Sequence, residues 1–305
     1  MTTGGVHPVR PGRLRLTDAG RVGGLGVLLA VTLVTAAHGP DDEQLRVLTA
    51  QLERHPDDIT ARLRRGELLR EHVRLGDSKS LTEAREDYAY VLRIRPNLLT
   101  AQLGMVRLDL ATGEPTNALS RLDRMLSGTE QIATVHQLRG EALMKCHRPA
   151  EAAAAFTTAL AHQKDPRAET FLARARAQLA MTPPDYPAVL AGLDTGLDRL
   201  GPVPGMQLLA LDVALRAGRY TDALQRVDAL AAESDRKESW LSRRGDILKA
   251  AGRPAEAMAA WQQALKACQE MPAPRKTSPA IRELQEELSR KLAPKSDPQP
   301  ETRPQ

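Results

Sequence analysis

Aromatic residues are scarce in this sequence. Two Phe, four Tyr and two Trp make up only 3% of 305 residues. A large β-sandwich or barrel needs more aromatic and β-branched bulk than this, so those folds are excluded. Cysteine is scarcer still: Cys146 and Cys268 are the whole supply. Two thiols so far apart in the chain make no disulfide framework, and without a CxxC pair they make no zinc site. The nucleotide and hydrolase signatures are missing too. There is no GxGxxG, Walker motif, HExxH or GxSxG. The cluster Gly23-Gly24-Leu25-Gly26 sits inside an apolar run with no strand before it, so it cannot cradle phosphate. The histidines are His7, His38, His55, His72, His136, His147 and His162, and no two stand four apart on a helix as metal ligands do. His136 stands nearest to a functional position, but its pattern is that of an ordinary helical histidine. The acidic pairs Asp41-Asp42 and Asp57-Asp58 fall at helix starts, where they face the positive end of the backbone dipole. No catalytic residue, cofactor site or metal site is expected.

What remains is a helical composition. Hydrophobic residues are 42% and charged residues 27%, as in a globular chain. Alanine is the commonest residue; it has the highest helix propensity and lets helices approach closely. The net charge is +5 and the isoelectric point near 9.4. More than half of that charge comes from Arg10, Arg13, Arg15 and Arg21 at the N-terminus. No basic stripe with interleaved aromatics follows, so nucleic acid is not an expected partner.

The N-terminal segment reads as a targeting element. A basic flank leads into the uncharged run 22–37, VGGLGVLLAVTLVTAA, which ends in small residues. These are the parts of an export signal. The alternative is an uncleaved membrane anchor, although the run is shorter than the roughly 20 residues of a straight spanning helix. No cysteine lies near its end, so lipid attachment there is excluded. Either reading places residues 38–305 outside the cytoplasm, exported, periplasmic or held at the cytoplasmic membrane.

From about residue 41 the chain repeats itself. The clearest unit, 133–164, carries Leu138, Gly140, Leu143, Ala152, Phe156 and Ala159 at helical spacing. The same offsets recur as Gly245, Leu248, Gly252, Ala257 and Trp261, as Leu211, Gly218, Ala223 and Val227, as Val106, Gly113, Ala118 and Leu122, and as Gly66, Leu69, Ala84 and Tyr88. A small residue in the first helix lets the second press close. A glycine at the turn relieves the reversal of the chain; His147 occupies that place in the third unit. The fourth unit, 166–200, departs most, with Pro183 and Pro184 in its turn and Gly192 where the bulky packing residue is expected.

This spacing resembles the tetratricopeptide repeat family. The resemblance implies an all-α, right-handed superhelical solenoid of antiparallel helix pairs. It divides the chain into a signal or anchor at 1–37, an N-terminal capping helix at 38–58, about six repeats over 59–268, a C-terminal capping helix at 278–292 and a disordered tail at 293–305. It also implies a concave groove lined by first-helix positions. Here these are Leu63 and Glu67, then Leu103 and Arg107, then Gln137, Glu141 and Lys145, then Leu208, Asp212 and Arg216, and finally Ser242, Asp246 and Lys249. Aliphatic anchors mixed with both charge signs suit an extended or helical peptide. Members that clamp chaperone tails use lysine and asparagine where this chain has Leu63, Leu103 and Gln137, and Glu67, Arg107 and Glu141, so that clamp is absent. The expected function is a non-catalytic scaffold for a peptide or protein partner in the bacterial cell envelope. The alternatives are a self-assembling structural solenoid or, further off, an enzyme with an unrecognised site.

Overall fold

The computed structural model describes residues 40–74, 78–127 and 133–293. The apolar run 22–37 and the tail beyond 293 lie outside the described residues. Among the described residues every regular element is a helix, and no helix is long and apolar enough to cross a membrane. The fold is an all-α solenoid of paired antiparallel helices. It separates into two units, residues 1–101 and 102–305, with the division in the first turn of one helix.

In the first unit, α1 (Pro40–Arg54) packs on α2 (Ile59–Arg74), and α2 packs on α3 (Ser78–Ile94). The start of α2 is capped by Asp58, whose Oδ1 accepts from Ala61 N at 3.0 Å. Its core is narrow: Leu52, Ala61, Leu69, Ala84, Tyr88 and Val91 are buried. Asp87 is buried among them and is held by two arginines of α2, Arg62 at 2.9 Å and Arg65 at 2.7 Å. A buried carboxylate needs such pairing, because unpaired it costs several kcal/mol.

The second unit begins within α4 (Leu99–Ala111) and continues through α5 (Pro115–Leu126), α6 (Ala133–Lys145), α7 (Pro149–His162), α8 (Ala168–Leu179), α9 (Tyr186–Leu200), α10 (Pro204–Arg216), α11 (Tyr220–Ala232), α12 (Lys237–Ala250) and α13 (Pro254–Gln269). A short turn of helix, α14 (Ala273–Lys276), leads to α15 (Pro279–Leu292), which packs on α13 through Ile281 and Leu288.

Local sequence sets these boundaries. Proline opens α5, α7 and α13 at a position where no backbone N–H is needed. The first helices before α5, α7, α11 and α13 end in a left-handed residue: Gly113 at φ 76°, His147 at 57°, Gly218 at 68° and Gly252 at 73°. In each case the next residue donates back five positions, as Arg148 N does to Leu143 O and Arg253 N to Leu248 O, both at 2.9 Å. His147 thus makes the same turn as the glycines, with a side chain that disfavours it.

The close approach of first and second helices has a direct cause. A Cβ at Gly140 would lie 2.6 Å from the Phe156 ring, one at Gly245 2.4 Å from Trp261, and one at Gly66 3.0 Å from Tyr88. The fourth repeat corrects one sequence expectation. Counted from the helix starts, the residue matching Phe156 is Leu193, which is fully buried, and the residue matching Gly140 is Ala175. Gly192 lies one position earlier and faces Arg174.

Both thiols are free, with Cys146 half-buried and Cys268 buried. Burial pushes the Cys268 thiol up, and nearby Glu238 adds to the rise.

Candidate functional site

The helix register decides which side chains share one face of the first helices. Relative to Gly140, the positions three before, one after and four or five after lie together on the side away from the Arg139 position. On α4 these are Leu103 and Arg107; on α6, Gln137, Glu141 and Lys145; on α10, Leu208, Asp212 and Arg216; on α12, Ser242, Asp246 and Lys249. In the first unit Leu63 and Glu67 hold the same register on α2. The fourth repeat has a matching set, Leu172 and Arg176 on α8, which sequence reading passed over. Counting from the start of the helix would have found it.

These residues differ in what they can offer. Leu208 is 43% exposed, an unusual state for a large apolar side chain in this protein. Leu103 and Ser242 are buried, Leu63, Arg107, Gln137, Glu141 and Asp212 half-buried, and Glu67, Lys145, Arg216, Asp246 and Lys249 exposed. Asp212 and Arg216 pair with each other at 2.9 Å. Gln137 donates to Glu141 at 3.3 Å and accepts from Gln163 of the following turn at 3.4 Å. Burial pushes the Glu141 carboxyl above its ordinary value; the Gln137 hydrogen bond and the charges of Arg107 and Lys145 work against that rise. Beside this chain the rings of His136 and His162 stack with centroids 6.2 Å apart.

Asp246 has a second task. Its Oδ1 accepts from Trp261 Nε1 at 3.1 Å and from Lys291 of α15 at 2.6 Å. Lys291 also pairs with Glu287 at 2.7 Å, and its ammonium lies 5.6 Å from the Trp261 ring centre. The C-terminal helix is therefore pinned to a band residue of α12.

Two clefts border these faces. One in the second unit, of about 480 Å³, is an open cleft lined by α10, α12 and α15. Its apolar lining is Leu215, Ile247, Ala250 and Leu284, and its polar lining is Ser239, Ser242, Arg243, Asp246 and Glu287. One in the first unit, of about 510 Å³, lies between α1 and α2 and includes Val47, Leu48, Arg64 and Glu67. Val47 is 57% exposed there. An apolar floor with a few polar groups at its edge can seat a side chain and orient it. Among the described residues no three His, Cys, Asp or Glu side chains gather as metal ligands would.

Residues 208–272 match the tetratricopeptide repeat family. No curated protein matches the chain. Among solved structures, a tetratricopeptide repeat protein from Parabacteroides merdae is 15% identical, with a TM-score of 0.50 over 87% of this chain and 98% of its own. YrrB, described as a TPR protein with an unusual peptide-binding site, gives a TM-score of 0.48 at 13% identity over 59% of this chain and 91% of its own. PilF of Pseudomonas aeruginosa gives 0.47 at 18% identity, over 74% and 99%. The match of 208–272 and the first of these likenesses identify the architecture as the tetratricopeptide type.

Proposed function

We propose that this chain is a non-catalytic scaffold that holds a peptide or protein partner against its first-helix faces. The cleft between α10, α12 and α15 carries this reading. Band residues Ser242 and Asp246 form its polar edge over an apolar floor, and exposed Leu208 extends the apolar surface on α10. An apolar anchor placed beside fixed charges is the usual composition of a protein-binding surface. The packing of α15 on α13 weighs against end-to-end self-assembly, because it covers the last repeat. The basic flank and apolar run 22–37 support a site of action outside the cytoplasm, with the chain exported or anchored.

The test is affinity capture from envelope fractions with the wild type and with the double variant Leu208→Glu, Arg176→Glu. Both side chains lie outside the core, so the variant keeps its helical content. A partner bound by the wild type and weakened about tenfold or more in the variant supports the band as the contact surface. Equal binding by both would remove the band from consideration.

A further inference from the structure

Among the described residues Arg174 meets no carboxylate, its guanidinium lying 5.6 Å from the Phe171 ring centre, and the repeat itself shows what is missing. Arg139 and Arg244 hold the position just before Gly140 and Gly245. Each pairs with an aspartate on the preceding second helix, Arg139 with Asp123 at 2.8 Å and Arg244 with Asp228 at 2.9 Å. Those aspartates directly follow the core residues Leu122 and Val227. Arg174 holds the same position before Ala175. The residue directly after Phe156, where its aspartate belongs, is Thr157. The Thr157 hydroxyl donates to the Ala153 carbonyl instead, at 2.8 Å.

Arg174 therefore has no carboxylate among the described residues. Its Nη2 donates to the Gly192 carbonyl at 2.9 Å, and its Nε is buried without a partner. Burial, with no opposing charge, lowers its pKa. The neighbours are unmet as well. Thr170 and Gln178 lie one turn to either side on the same helix face. Thr170 is only 1% exposed and its Oγ1 has no partner; neither has Gln178 Oε1. The stripe falls where the buried apolar side chains divide into two clusters. Phe156 and Ala177 belong to one, and Leu160, Phe171 and Ala175 to the other. Water can satisfy a hydroxyl or a carboxamide, but it does not neutralise a guanidinium.

We propose that Arg174, with Thr170 one turn before it, is a subsite for one carboxylate, supplied by an aspartate or glutamate side chain of a protein partner. The guanidinium gives charge-assisted hydrogen bonds, and the unpartnered Thr170 hydroxyl is the further donor. Arg174 points to the side of α8 opposite Leu172 and Arg176, two residues away, so this subsite stands apart from the first-helix band.

The test follows the arginine side-chain Nε–H signals by NMR during titration with sodium acetate against sodium chloride at constant ionic strength. The Arg174 signal shifts and saturates, while those of Arg139 and Arg244, already paired, stay within a tenth of that shift. Thr157→Asp restores the missing carboxylate. In that variant the Arg174 signal starts near its acetate-bound position and the response to acetate is lost. An Arg174 signal that does not move, or one that drifts linearly in step with Arg139 and Arg244, overturns the subsite. So does a folded Thr157→Asp protein that still responds as the wild type does.

Discussion

The third and fourth repeats solve one packing problem in two ways. In the third, a turn of three residues, 146–148, joins α6 to α7, and Gly140 lets the Phe156 ring lie against the first helix. In the fourth, six residues, 180–185, join α8 to α9, Ala175 and Leu193 hold the matching positions, and the glycine–ring contact is reversed, since a Cβ at Gly196 of α9 would lie 2.9 Å from the Phe171 ring of α8. The bulk removed from one helix is returned by the other. The same trade recurs along the chain: glycine stands with an aromatic at Gly66 and Tyr88 and at Gly245 and Trp261, while aliphatic residues share the space at Val106 and Leu122 and at Leu211 and Val227. In each pair a small side chain on one helix stands with a larger one on the other, which lets the helices pack closely. Four of the eight aromatics, Tyr88, Phe156, Phe171 and Trp261, lie against a glycine of the paired helix.

This contrast can be broken most severely at the ring. Phe156→Ala leaves a void opposite a residue with no side chain to relax into it, and costs about 3–5 kcal/mol in chemical denaturation. Gly140→Ala is the next largest. Its Cβ would sit 2.6 Å from the ring, and overpacking costs about 1–3 kcal/mol even though alanine is the better helix former. The comparison is sharpened by combining Gly140→Ala with Phe156→Leu, which copies the fourth repeat into the third. The double variant is more stable than the sum of the two single changes by about 1 kcal/mol or more, measured as a double-mutant cycle.

Smaller effects separate the two turns and the half-buried acid. His147→Gly relieves a left-handed residue and raises stability by about 1 kcal/mol or less, since glycine also loses more freedom on folding. Glu141 holds its proton more tightly folded than unfolded, because burial disfavours the carboxylate. Its contribution is thus most favourable below the ordinary value of 4.5 and is lost as pH rises from there through the raised folded pKa. Glu141→Gln therefore gains stability over the wild type at pH 7 and loses that advantage near pH 4, as thermal melts at the two pH values would show.

Much of this architecture is legible in the sequence. The recurrent Gly140, Ala152 and Phe156 spacing locates helix pairs because each type has a packing reason that repeats with the unit. Gly113, Gly218 and Gly252 mark turns because a positive φ is required there. The fourth repeat was harder. Its longer turn and two prolines stretch the spacing of the paired positions from 16 residues (140 to 156) to 18 (175 to 193), and Gly192 reads as the packing position that Leu193 fills. The band was legible as a register, but its engagements were not. That Asp246 meets Lys291, 45 residues away, follows from the docking of α15, which no local pattern encodes. The unmatched charge of Arg174 becomes visible only once Thr157 is placed beside the aspartates of its sister repeats.

The proposed contact surface is the set of first-helix faces in the second unit. Its most direct measurement is site-specific photo-crosslinking to a captured partner, from probes placed singly at Leu208 and Arg216 on the band and at exposed Met258 on a second helix. Crosslinks are expected from the first two positions and none from the third. Crosslinks from Met258 alone would contradict it and move the contact surface to the second helices.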